Sequence, residues 1–129
     1  MMHSDMNKAR PKNLDLFHIR LPLPALLSIL HRLSGVILFL ALPVLIWALQ
    51  ESLATPDSFS RVRRALSSGP ATVFTLALVW AYLHHFFAGI RHLFLDLDCG
   101  TRLPTARLTS KLVLGLSITL TVLAGLQLW

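Results

Sequence analysis

The chain has 129 residues, of which 54% are apolar and 14% charged, with a net charge of +6 and a single cysteine. Soluble domains carry about 25% charged residues, so this composition excludes an aqueous globule and leaves one small set of membrane helices. The lone Cys99 excludes an internal disulfide and a cysteine-only metal centre, and no CxxCH haem-attachment motif is present. The positive charge sits in segments flanking apolar runs, which argues for positive-inside topology and against nucleic acid as a partner.

Residues 1–24 form a basic arm. Lys8, Arg10, Lys12 and Arg20 outnumber Asp5 and Asp15, and the arm ends in Leu21-Pro-Leu-Pro24, which disfavours helix until the second proline has passed. It is polar and proline-bearing, so neither a signal peptide nor a transit peptide is expected there, and it should lie on a membrane surface. Residues 25–129 are expected to be a single all-α membrane domain of three transmembrane helices, at about 25–49, 70–96 and 109–129. The first carries Pro43, expected to kink it. The connection 50–69 is polar, with a short amphipathic helix expected over 58–66. Pro70 suits a first helical turn and Gly100 suits a helix end. Residues 98–104 read as a loop. In the third helix Gly115, Ser117 and Gly125 offer close-packing positions, and Trp129 is expected at the far interface.

Nine of the twelve Lys and Arg residues fall in the arm, at Arg32, at Arg91 near the end of the second helix and after that helix; three fall in the 50–69 connection. That asymmetry predicts a cytoplasmic N-terminus and a periplasmic C-terminus. Ser28, His31, Arg32, His92 and Asp96 then share the cytoplasmic face.

The chemistry concentrates in residues 81–98, which are apolar enough for a membrane helix yet hold His84, His85, Arg91, His92 and Asp96. Hydrocarbon penalises such groups by several kcal/mol each, so they should face protein, a cofactor or water. At about 100° per residue, His85, Gly89, His92 and Asp96 fall within roughly 60° of one another. His85 lies deepest on that face and is the strongest candidate for a haem-iron ligand, with Gly89 leaving room for a flat macrocycle. The competing reading is a histidine hydrogen-bonded to a neighbouring helix. His84 points about 100° away and ranks second. His31 and Arg32 suit haem propionates, although Arg32 could equally snorkel to lipid phosphates. Ser28 and Arg32, one turn apart, could hold a quinone carbonyl. Asp96 could neutralise Arg91 or Arg32, or relay a proton.

Three segments carry a resemblance: Arg10-Pro-Lys-Asn-Leu-Asp15, Ser28-Ile-Leu-His-Arg-Leu-Ser-Gly35, and His85-Phe-Phe-Ala-Gly-Ile-Arg-His-Leu-Phe-Leu-Asp96. Together they closely resemble the cytochrome b556 subunits of succinate dehydrogenase, one of two small membrane anchors in respiratory complex II. The resemblance covers nearly the whole chain. It implies that His85 is the axial ligand of haem b, with the second axial histidine supplied by the second membrane anchor. It also implies that Ser28 and Arg32 line a ubiquinone site, with Asp96 nearby, and that His31 and Arg32 approach the haem propionates. The implied partners are that second membrane-anchor subunit, an iron–sulfur subunit and a flavoprotein subunit, assembled in a bilayer that is expected to be the bacterial inner membrane. The isolated chain is expected to catalyse nothing. Two other readings compete: the anchor of a fumarate reductase, and a non-redox scaffold whose polar residues merely join helices.

Overall fold

The computed structural model describes residues 21–128, the last by its backbone alone. The expectations for residues 1–20 and for Trp129 fall outside the described residues. Four helices follow one another: α1 (Leu23–Ala54), α2 (Pro56–Leu66), α3 (Gly69–Asp96) and α4 (Leu103–Leu128). Among the described residues α1, α3 and α4 are long and apolar enough to cross a membrane. At ~1.5 Å per residue each exceeds a hydrocarbon core of about 30 Å.

The expected all-α, three-span architecture is present, with two boundaries moved. α1 does not stop near 49 but continues to Ala54, and it passes through Pro43 as one helix. α4 begins at Leu103 rather than 109, with Pro104 in its first turn, a position where the missing N–H costs nothing. α3 closes through Asp98 (φ 57°) and Gly100 (φ 84°), both left-handed, with Cys99 N–H donating 2.9 Å to the Phe94 carbonyl. α2 starts from a reciprocal cap in which Ser58 N–H donates to Thr55 Oγ1 and Thr55 N–H to Ser58 Oγ. The buried Ser58 hydroxyl also donates 2.6 Å to the Glu51 carbonyl, locking α2 against the end of α1.

The helices meet through small residues. α3 packs between α1 and α4, and the buried positions are mostly Ala or Ser: Ala41, Ala81, Ala88, Ala106, Ser34, Ser110 and Ser117. Small side chains allow close backbone approach where lipid provides no hydrophobic drive. The serine hydroxyls donate back to carbonyls of their own helix, as Ser110 does to Ala106 and Ser117 to Leu114. A compact core of Leu27, Ala88 and Val113, flanked by Phe87 and Leu114, sits where the three long helices meet. Because successive long helices run antiparallel, the start of α1, the end of α3 and the start of α4 share one end of the bundle.

Candidate functional site

At that end α1 presents His31, Ser34 and Gly35 to His85, Gly89 and His92 of α3. The His85 ring lies directly over Gly35. A Cβ built on Gly35 would stand 2.9 Å from His85 Cε1 and 3.3 Å from Nδ1, so only glycine accommodates the ring. The His31 ring stacks on His85 at 4.2 Å between centroids and is 5.0 Å from His92. Gly89 lies under the other edge of His31, its virtual Cβ 3.7 Å from Nε2. Gly35 thus makes the space in which the imidazoles layer, while Gly89 borders it at ordinary contact distance.

The protonation of His85 follows from its partners. Its Nδ1 lies 3.0 Å from the His31 carbonyl and 3.2 Å from Ser34 Oγ, and the Ser34 hydroxyl itself donates 2.8 Å to that same carbonyl. A carbonyl only accepts, so Nδ1 carries the proton and Nε2 keeps its lone pair. This is the arrangement a metal-binding histidine needs: one nitrogen held by a backbone carbonyl, the other free to ligate. His85 is half-buried. The chemistry of this donor therefore fits a haem iron.

His84 is placed differently. It is fully buried on the inward face of α3 and stacks on Trp80 at 5.1 Å. Neither of its nitrogens has a hydrogen-bond partner among the described residues; the Leu27 backbone approaches the ring without reaching bonding geometry. With no exposed surface it offers no room for a macrocycle. Two neighbouring histidines thus divide into one poised donor and one sealed ring.

Residues 6–124 match the family described as succinate dehydrogenase/fumarate reductase transmembrane subunit. The chain belongs to this family. Its similar relatives include the succinate dehydrogenase cytochrome b556 subunit of Coxiella burnetii, 38% identical over 125 residues, which are 96% of this chain and 100% of the relative. The protein of the same name from Paracoccus denitrificans is 31% identical over 121 residues, 93% of each chain. The human mitochondrial succinate dehydrogenase cytochrome b560 subunit is 32% identical over 98 residues, 74% of this chain and 58% of that one.

Within this family member the remaining predicted residues gather at the same end without hydrogen bonds between their side chains among the described residues. Ser28 is half-buried, Arg32 and Asp96 are exposed, and none of the three has a side-chain hydrogen bond or ion pair among the described residues. The suggested Arg91–Asp96 pair is not made. Arg91 instead turns onto α4, donating from Nε to Thr109 Oγ1 at 3.1 Å and from Nη2 to the Ala106 carbonyl at 3.4 Å. Ser34 and Thr109 were missed by sequence reasoning. Ser34 had a usable signal, since it stands one turn from His31 beside Gly35; Thr109 had none. Among the described residues no three His, Cys, Asp or Glu side chains converge, so a metal here would need donors beyond this chain or a macrocycle of its own.

Proposed function

We propose that the chain is the cytochrome b556-type membrane anchor of a bacterial succinate:ubiquinone oxidoreductase, with His85 as an axial ligand to haem b. The carrying observation is the His85 Nδ1–H bond to the His31 carbonyl, which leaves Nε2 as a preset donor. The names of the relatives support the enzyme class. The second axial ligand is assigned to the second membrane anchor, and succinate oxidation to the flavoprotein, with electrons arriving through the iron–sulfur protein docked at the cytoplasmic face. When bound, the haem supplies a one-electron store beside the quinone.

The chain's own residues bind and orient. Quinone reduction loads negative charge onto carbonyl oxygens, and the exposed Arg32 guanidinium at the bundle end donates to such an oxygen, stabilising that charge electrostatically. Ser28, one turn before it, donates its hydroxyl to orient the head group. Asp96 passes a proton toward the same edge from solvent. His31 stacks on His85 and, with Arg32, would hold the propionates of a bound haem.

The test is a reduced-minus-oxidised spectrum of the purified complex. His85→Ala abolishes the b-type α-band, and His84→Ala keeps it; the reverse pattern would transfer the ligand role to His84 and refute the assignment. The family description also covers fumarate reductases. Ubiquinone extracted with the complex supports the succinate-oxidising reading, whereas a low-potential quinone as the bound species would favour the reductase.

A further inference from the structure

Among the described residues Arg91 is a buried cation with no anion beside it. It is 7% exposed, and the groups it bonds, Thr109 Oγ1 and the Ala106 carbonyl, are both neutral. Among the described residues the ion pair present is Arg61–Glu51, at the other end of the bundle. Nε and Nη2 are engaged, while Nη1 has no protein partner there. A guanidinium removed from water keeps its charge, so such a site calls for a counter-charge.

The same side chain borders an apolar groove of about 350 Å³ between α3 and α4. Its walls include Phe87, Ile90, Phe94, Leu112 and Leu116, and Gly100 of the connecting turn closes one end. Ile90, Phe94, Leu112 and Leu116 are well exposed, so the groove opens outward from the bundle. Arg91 lies five residues before the end of α3, about 7.5 Å along the axis at ~1.5 Å per residue, the depth at which head groups meet hydrocarbon. Arg91, Arg102, Arg107 and Lys111 outnumber Asp96 and Asp98 in this part of the sequence, so the surroundings favour a ligand of net negative charge.

We infer that the α3–α4 groove is a binding site for an anionic phospholipid, with its phosphate on Arg91 and an acyl chain along Phe94, Leu112 and Leu116. The occupant must offer an anion and a hydrocarbon chain in one molecule, and the bilayer holds such a molecule at this depth. The site needs only a membrane-spanning chain and does not depend on the haem or quinone assignment.

The assembled complex is stripped of lipid in detergent, then exchanged with phosphatidylglycerol or phosphatidylcholine of identical chains, and retained lipid is counted by native mass spectrometry. Wild type retains phosphatidylglycerol over phosphatidylcholine by about tenfold or more, as a charge-assisted phosphate contact warrants. Arg91→Gln removes the preference. Thr109→Val keeps it, because the cation remains while its helix-joining bond is lost. Leu116→Trp fills the groove and lowers retention of both lipids with Arg91 intact. The proposal is overturned if Arg91→Gln keeps the preference, if Thr109→Val loses it, or if inorganic phosphate alone displaces the lipid. Because lipid is counted on assembled complex, a wrong haem or quinone assignment leaves this result unaffected.

Discussion

Gly35→Ala isolates the contact on which the ligand assignment depends. The new Cβ would stand 2.9 Å from His85 Cε1, where carbons rest at about 3.5–4.0 Å, so the ring must retreat by about 0.6–1 Å. Such overpacking costs about 1–3 kcal/mol. The retreat also stretches the 3.0 Å bond from Nδ1 to the His31 carbonyl, worth about 1 kcal/mol net. Alanine returns about 0.5–1 kcal/mol through helix propensity, opposite in sign. The balance is a loss of about 1–3 kcal/mol, or about 5- to 150-fold in haem retention. Haem per assembled complex, read by the pyridine haemochrome and by the midpoint potential of the b-type band, measures it. Gly89→Ala meets only an ordinary contact, 3.7 Å from His31 Nε2, and Gly115→Ala meets nothing within 4 Å. Both should retain haem, and the second should also raise stability slightly. Full haem content at unchanged potential in Gly35→Ala would refute the reasoning, because the His85 ring then could not lie where it is described.

Other substitutions probe the remaining links. His84→Leu removes two buried nitrogens with no hydrogen-bond partner among the described residues, each costing about 1–3 kcal/mol; the unfolding temperature of the complex should rise by a few degrees with the b-type spectrum intact. Arg32→Gln should lower kcat/KM for quinone by about 10- to 150-fold and Ser28→Ala by about 2- to 10-fold. Succinate oxidation with a soluble artificial acceptor should stay at wild-type rate in both, and a parallel fall there would place the defect outside the quinone site. Ser58→Ala removes the acceptor for Thr55 N–H, one half of the reciprocal α2 cap, and the bond to the Glu51 carbonyl, costing about 1–2 kcal/mol by thermal unfolding. Arg61→Gln breaks a largely exposed pair and should be near neutral.

The spans were legible because lipid imposes one rule, a long apolar helix, on every segment. The boundaries were less so. Thr105 and Arg107 look too polar for the membrane helix, yet Pro104 opens a helical turn there, and a helix continuing past the hydrocarbon meets no penalty for polar side chains. The polar face of α3 was legible from spacing, since His85, Gly89 and His92 recur at helical intervals and all three face His31. Spacing did not tell that Gly35 of α1, rather than Gly89, receives the His85 ring, because that depends on how two helices slide against each other. The course of Arg91 was equally hidden. Helical phase left it free to meet Asp96, and only the position of α4 brings Thr109 and the Ala106 carbonyl within its reach.

The acceptor for His85 Nδ1 is main chain, not a side chain. Replacing His31 by another helix-forming residue would remove a stacked ring but leave the carbonyl in place. Drift at position 31 can therefore alter the surroundings of His85 without changing the acceptor its Nδ1 faces. The burden of heritable precision falls instead on Gly35 and on the register of α1 against α3. A lineage can retune the site one side chain at a time, provided those two backbones keep their places.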